Sequence, residues 1–387
     1  MKVEFLRLSE VAEVNPRRGA LVVDDDLPVS FVPMEAVDDV LGRITAATEK
    51  TFSEVKKGYT AFVDHDVIFA KVSPCMQNGK HAVATGLRNG LGFGSTEFHV
   101  VRPGSRLLPA WIHHFLRTQD TLDAAKKTFN GAVGLQRVPP AFLENLVLPV
   151  PGIDDQKQVI ANLEAQLAAV EDARQAATAQ LRELTQLANA IVRETLAHPD
   201  TEPRSLGDVL LEVKQGVGSR WADFPVLGAT REGLAPAKEP VGKNPERYKP
   251  VTVGTVFYNP MRILIGSIAM VDEGDAPGIT SPDYVALRGR EGLVDSRWFY
   301  YWLRSPDGER CIASLARGAV RERMLFNRLA EGEIALPPYP VQQAASWALA
   351  ELRPMKAAIE VRLREIERLP QRLLAQVFDF EEEAEDA

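Results

Sequence analysis

The stretch DDQKQVIANLEAQLAAVEDARQAATAQLRELTQLANAIVRETLA, Asp154 to Ala197, decides the architecture. Apolar residues stand at Ile160, Leu163, Leu167, Val170, Ala177, Leu181, Leu184, Ala188 and Ile191. Their spacings alternate three and four, the a/d pattern of a heptad seam, broken only where Arg174 takes a seam position. Asp154 and Asp155 stand at the end where the helix dipole favours negative charge. The pattern predicts one helix of roughly 60 Å at 1.5 Å rise per residue. A helix apolar on one stripe only must bury that stripe against something.

The partner comes from a repeat. A second long segment, from about Val341 to Phe378, carries the same idea through Ile359, Leu363, Ile366, Leu373 and Val377. Other stretches return in the same order. LSEV at Leu8 returns as LGDV at Leu206, and DVIFAKVSP at Asp66 as TVFYNPMRI at Thr255. GSTEFHVVRPG at Gly94 returns as ITSPDYVALRGR at Ile279, each followed by an apolar stretch with tryptophan, AWIHHFLRT and RWFYYWLRS. GAVGLQRVPPAFLENLVLPVP returns as GAVRERMLFNRLAEGEIALPPYP. Such long-range self-similarity predicts two copies of one lobe, each ending in a long helix, with the two helices pairing antiparallel. Pro354 and Pro370 interrupt the second helix pattern, and an interior proline costs about 3 kcal/mol, so a kink or break is expected near Leu369.

Between the helical stretches the chain changes to short β-type runs punctuated by glycine and proline, such as AFVDHDVIFAKV, STEFHVV and VTVGTVFYN. The expected fold class is α/β (α+β). The expected divisions are a first lobe at 1–152, a first long helix at 153–198, a second lobe at 199–340, a second long helix at 341–380 and an acidic disordered tail at 381–387. The linker AHPDTEP, Ala197 to Pro203, ends the first helix with two prolines.

The bulk composition narrows the function. A chain of 387 residues, 45% hydrophobic and 25% charged, is ordinary globular material with room for two or three cores. Two cysteines far apart, Cys75 and Cys311, argue against a disulfide framework or a zinc site. The N-terminus is interrupted by Glu4, Arg7, Glu10 and Glu13, and the longest apolar run, ILIGSIAMV, is too short to span a bilayer. A cytoplasmic protein without a signal peptide or membrane span is expected. The net charge of −8 owes much to the C-terminal FEEEAEDA, so it does not exclude a basic nucleic-acid face elsewhere.

No catalytic set emerges. Cys75 follows Pro74 in a turn with no nearby base to activate it. YNPM, Tyr258 to Met261, is similar to the [ND]PP[YF] loop that holds the target amine in amino-methyltransferases, but lacks its second proline and final aromatic. GLGFGS, Gly90 to Ser95, has no helix after it to present backbone N–H groups to a phosphate, and a tight turn before a strand is the plainer reading. Asp200 with Glu212 and Lys214 matches a loose metal-nuclease spacing but straddles the linker. The six histidines, His65, His81, His99, His113, His114 and His198, show no metal-ligand spacing.

DVIFAKVSPCMQNGK, GFGSTEFHVVRPG and GAVGLQRVPPAFLENLVLPVPGIDDQKQVI, with VFYNPMRILIGSIAMV, ITSPDYVALR and LPPYPVQQ in the second half, closely resemble the specificity subunit of type I restriction–modification enzymes. The resemblance runs over nearly the whole chain. It implies two target recognition domains, each reading one half of a bipartite site on double-stranded DNA, and an antiparallel coiled coil with pseudo-twofold symmetry that sets the gap between the half-sites. The coil would dock two methyltransferase (modification) subunits, with ATP-dependent restriction (translocase/nuclease) subunits as further partners. It implies a non-catalytic chain without its own cofactor or metal, S-adenosylmethionine, ATP and Mg belonging to the partners. The competing reading is a duplicated coiled-coil protein-interaction scaffold that binds no DNA.

On the DNA reading, FAKVSPCMQNGKHAVA is a strand, turn and strand at the centre of the first lobe. Lys71 and Lys80 suit phosphate, and Gln77 and Asn78 suit adenine edges. The equivalent stretch offers Asn259 and Arg262. A second candidate is the glycine-led loop, where Gln136 and Arg137 are matched by Arg317, Arg321 and Arg323, arginine being the commonest reader of guanine. For each position the competing reading is a solvated turn.

Overall fold

The computed structural model describes residues 2–17, 23–132, 135–316 and 323–380. The expected acidic tail and the candidate DNA contacts Arg317 and Arg321 lie outside them. The two long helices span Ile153–Leu196 and Tyr339–Phe378, 44 and 40 residues. The chain divides by compactness into Met1–Gln175 with Arg364–Ala387, and Ala176–Leu363. Each unit thus holds one lobe and about half of each long helix, a division that cuts across the lobe and helix segments of the repeat.

The repeat is a repeat of topology. In the first unit an antiparallel four-stranded sheet has the order Ala12–Val14, Phe98–Pro103, Val67–Ala70, His81–Val83. In the second it runs Leu210–Glu212, Val285–Gly289, Thr255–Tyr258, Ile268–Val271. Each lobe is closed by its first strand pairing with its last, Val3–Arg7 with Val147–Pro151 and Glu202–Ser205 with Glu333–Leu336. Each carries two successive helices after the sheet, Pro109–Leu116 and Gln119–Lys127 in one, Ser296–Arg304 and Pro306–Leu315 in the other. Strands Val67–Ala70 and Thr255–Tyr258 are buried along their whole length, as apolar runs without alternation require. The lobes differ beyond this frame. The first adds a four-stranded sheet, Thr48–Thr51, Pro28–Val32, Leu91–Gly94, Thr60–Val63, with one parallel pair. The second has two-stranded ribbons, Leu227–Ala229 with Leu234–Pro236 and Lys249–Val251 with Gly278–Thr280.

Segments of both long helices are core elements of each unit. In the first unit Ile160 and Leu163 share a buried cluster with Trp111, Leu148 and Leu374, with Leu167 and Leu373 packed at its edge. In the second, Ala188 and Val192 are buried with Ala345, Leu349, Leu352 and Trp298, and Leu184 and Ile191 pack beside them. The start of one helix meets the end of the other in each unit, so the pair is antiparallel. Of the remaining seam positions, Val170, Leu181, Ile359 and Leu363 are half-buried and Ile366 is buried. Arg174, where the heptad breaks, turns to Glu171 on its own helix at 2.8 Å.

Of the kink or break expected near Leu369, a break is absent: one α-helix runs from Tyr339 to Phe378 through both prolines. The reason is packing on either side. Leu349 and Leu352 before Pro354, and Ile366 and Leu374 around Pro370, are buried. At about 1.5–3 kcal/mol per buried aliphatic side chain, four such residues outweigh two interrupted helical bonds. Among the described residues no helix is long and apolar enough to cross a membrane.

One polar device is built twice. Gln156, in the first turn of the first long helix, is fully buried. Its Oε1 accepts from Leu108 N at 2.9 Å, and its Nε2 donates to Arg106 O at 2.9 Å and Pro151 O at 2.8 Å. Gln342 is equally buried and does the same: Asp295 N to Oε1 at 3.0 Å, Nε2 to Leu293 O at 3.0 Å and to Pro337 O at 2.7 Å. Each carboxamide ties the helix entry to the loop before the tryptophan-bearing helix of its lobe. Gln342→Leu keeps the volume but strands a buried N–H and two carbonyls, so we expect a loss of about 2–4 kcal/mol. Equilibrium denaturation checks it, and a change under about 0.5 kcal/mol, the range of an ordinary surface substitution, would show that these groups find other partners.

His81 is buried in the first sheet and stacks on Phe69 with centroids 4.1 Å apart. Burial, with the charge of Arg117, pushes its pKa down to about 3. Below the unfolded value near 6.5 the unfolded chain takes up a proton that the folded chain refuses, so stability is present above pH 6.5 and lost as pH falls toward 3. His81→Phe should remove about 1 kcal/mol per pH unit from the wild-type decline between pH 5.5 and 4. Identical pH slopes in urea titrations of the two proteins would mean that His81 is charged when folded.

Candidate nucleic-acid interface

In both lobes the inner strand ends in a turn, and in both a later segment of the same lobe is hydrogen-bonded to that turn. In the first lobe Val67–Ala70 runs into Lys71–Lys80. Ser73 N donates to Gln136 O at 2.9 Å, Val138 N to Lys71 O at 2.9 Å, and Val72 bridges Arg137. His99, on the neighbouring strand, donates from Nε2 to Val138 O at 2.9 Å, and burial keeps its pKa below the usual value. In the second lobe Thr255–Tyr258 runs into the turn at Asn259, and Met324 N donates to Pro260 O at 3.1 Å. The structure therefore brings together the two candidate segments that the sequence left separate.

The side chains are not equally available. Asn78 is exposed, and its carboxamide has no partner among the described residues. Gln77 is half-buried, its Oε1 accepting from Ser73 Oγ at 2.8 Å, which leaves its amide donors. Lys71 is half-buried, close enough to Glu97 to lower the pKa of that carboxyl. Gln136 is half-buried beside it. Arg137 holds Glu97 in a two-bond pair, 2.7 and 2.8 Å, and this keeps the Glu97 carboxyl below its ordinary range. Arg137 reaches a base or phosphate only by exchanging that partner.

Lys80 is a correction. Its ammonium donates inward, to Val37 O at 2.7 Å and Met34 O at 3.3 Å, so it fastens the turn to the neighbouring loop instead of offering charge to DNA. A sequence cannot distinguish such a lysine from a free one, because the carbonyls it meets lie more than forty residues away.

In the second lobe Arg262 is exposed with no side-chain partner among the described residues. Asn259 Oδ1 caps its own turn by accepting from Met261 N at 2.9 Å. Arg323 pairs with Asp283 at 3.0 Å. Asn259, Arg262 and Arg323 line one groove of about 630 Å3, together with Arg231 and Lys238 and with the acids Glu232, Glu239 and Asp283. Sequence reading missed Arg231 and Lys238, which lie outside every repeated stretch.

The rejected catalytic candidates have structural roles. Cys75 is half-buried against the cluster of Val32, Ala70 and Phe98, and burial pushes the Cys311 thiol up. Tyr258 of YNPM points into the core, where burial raises its pKa, and GLGFGS contains the paired strand Leu91–Gly94. Among the described residues no group of three or more His, Cys, Asp and Glu is placed to hold a metal ion.

No family model matches the chain. Two specificity subunits of type I restriction enzymes from Escherichia coli, EcoEI and EcoAI, are 37% and 35% identical to it over 158 residues, 41% of this chain. The matched stretch spans about a quarter of those relatives, 26% of each. Among solved structures, a chain from work on complex assembly and conformational transition of the type I R-M system superposes with a TM-score of 0.68 at 19% identity, covering 97% of both chains. The HsdS subunit from Thermoanaerobacter tengcongensis gives 0.52 at 20% identity, covering 97% of this chain and 96% of its own. Two lobes on one repeated frame, paired long helices and these likenesses agree: the chain has the fold of the specificity subunits of type I restriction–modification systems and, over 158 residues, is similar to such subunits in sequence.

Proposed function

We propose that this chain is the DNA-recognition subunit of a type I restriction–modification complex. Each lobe reads one half of a bipartite site, and the long helices set the gap between the halves. The observation that carries the reading is the pair of turns, Lys71–Lys80 and Asn259–Gly266. They occupy the same place on the same repeated sheet, are braced by the same kind of hydrogen-bonded segment, and present different side chains. A frame repeated while its tips diverge suits a protein that must recognise two different sequences by one mechanism. A scaffold needs no such division. Adenine methylation with S-adenosylmethionine, and ATP- and Mg-dependent cleavage, belong on this reading to methyltransferase and restriction subunits bound to the chain in the cytoplasm.

The outer face of the second long helix supports the partner assignment. Trp347 is 76% exposed, and Met355 and Val361 continue the exposed stripe on the side away from Leu349 and Leu352. Such a stripe on a helix already paired through its other face fits a protein partner, here a methyltransferase subunit. Trp347→Ala should leave stability within about 0.5 kcal/mol. It should weaken assembly with that subunit tenfold or more, the loss of about 2 kcal/mol expected of a buried aromatic anchor. Sedimentation of the mixture decides it, and unchanged assembly removes this face from the interface.

Salt dependence tests the DNA reading against the scaffold. The assembled complex should bind duplex containing its methylated site with an affinity that falls steeply as salt rises, because phosphate contacts release counterions. Arg262→Ala should lower affinity and flatten the slope of log K against log salt by about one. Lys80→Ala should lower thermal stability and leave that slope unchanged, since its ammonium is held inward by the carbonyls of Val37 and Met34 and does not reach a phosphate. A complex that assembles but shows no salt-dependent, site-specific binding favours the scaffold.

A further inference from the structure

The turn Asn259–Gly266 has a property that its counterpart lacks. It reads NPMRILIG, and its large aliphatic side chains face water: Met261 is 51% exposed, Leu264 56% and Ile265 67%. Of its large aliphatic side chains Ile263 is buried, in the core cluster of the lobe, and Pro260 before them is buried too. In the first lobe's turn, VSPCMQNG, Met76 is fully buried and the exposed positions are Pro74 and Asn78. Each lobe also exposes one leucine in the bracing segment, Leu135 and Leu325, so the contrast lies in the turns themselves.

The exposed tip is rigidly held. Arg262 N donates to Asn259 O at 2.9 Å, Ile265 N to Arg262 O at 3.2 Å, Gly266 N to Ile263 O at 2.9 Å, and Ser267 N to Arg262 O at 3.1 Å. Gly266 closes the turn at φ +81°, a conformation that a side chain would strain. With Ile263 as the anchor, Leu264 and Ile265 stand outward. The one charge in the turn, Arg262, is positive and exposed, and Arg231 Cγ lies 3.7 Å from the position a side chain on Gly266 would take.

We propose that this turn recognises thymine in its half-site by apolar contact with the C5 methyl group in the major groove, an assignment that rests on the DNA-recognition reading above. Three aliphatic tips around an arginine match a surface of negative potential with isolated apolar groups. In duplex DNA the thymine methyl is the apolar group on the major-groove edge, and Arg262 is left to phosphate or guanine. An eight-residue turn with these exposed tips is of a size to enter a groove about 12 Å wide. It is small for a protein interface, which needs roughly 800 Å2 from each partner. The two lobes then read by different chemistry: the first by the hydrogen-bonding amides of Gln77 and Asn78, the second by apolar contact beside one arginine.

The test uses the assembled complex with its methyltransferase subunits. Methylation mapping identifies the site, and duplexes are made in which the thymines of one half-site at a time are replaced by deoxyuridine, which removes only the methyl. We expect uracil in one half-site to weaken wild-type binding about tenfold. The Leu264→Ser, Ile265→Ser double variant should bind the thymine and uracil duplexes alike, both at the weakened level. A site without thymine in either half, or wild-type affinity indifferent to uracil in both, overturns the proposal. If binding is indifferent to uracil but weak in the double variant, the turn is a wedge between base steps. If the double variant binds DNA normally but fails to assemble, the turn is a protein contact. Both of these also overturn the proposal. Because the uracil comparison is made on unaltered protein, it stands even if the double variant fails to fold. Assembly without salt-dependent DNA binding is separate, since it removes the recognition reading itself.

Discussion

Each lobe is coupled to the start of its long helix by a buried carboxamide. Gln156 and Gln342 sit in the first turn of their helices without access to water, and each satisfies one N–H and two carbonyls that would otherwise be unpaired. Backbone groups in loops are costly to bury unless they are paired. The glutamine lets the loop before each tryptophan helix close onto the start of the long helix. Around it the apolar contacts assemble: Trp111 donates from Nε1 to Pro149 O at 2.8 Å, and Trp298 from Nε1 to Thr195 Oγ1 at 2.9 Å, the latter on the first long helix itself.

That arrangement explains how the surface can differ between copies while the frame does not. The four-stranded sheet, the closing strand pair, the helix pair and the glutamine recur. The accessory strands, the groove-lining cations and the turn residues do not recur. Interior packing constrains a position through many neighbours at once, whereas a braced turn constrains backbone and leaves side chains free. On the proposed reading, recognition is carried where that freedom exists.

Local charge matters more than the total. Against a net charge of −8, the exposed cations at the candidate interface are few, and several are engaged: Arg137 by Glu97, Arg323 by Asp283, Lys80 by backbone. Arg262, the amide of Asn78 and the groove-lining Arg231 and Lys238 are among the side chains there that need release no partner among the described residues. Paired cations at a binding face are exchangeable, and a phosphate competes for Arg137 or Arg323 only to the extent that it outbids a carboxylate already in place.

The helix pair and the doubled lobe were legible in the sequence because both are recorded as order along the chain, a heptad spacing and a returning series of motifs. Seam residues such as Ile160 and Leu163 follow from period alone. What needed the tertiary structure were properties set by residues distant in sequence. Pro370 stays inside a helix because Ile366 and Leu374 are buried on both sides of it. Lys80 turns inward because the carbonyls of Met34 and Val37 are there to receive it. Ile263 is buried while Leu264 and Ile265 are not, although nothing in an apolar triplet says which member faces the core. Gln156 and Gln342 read as ordinary polar residues at a helix start, and only the loops folded over them make them interior. Periodicity reports which face of an element is apolar, but the fate of a polar or isolated group depends on which partners the fold brings within hydrogen-bonding distance.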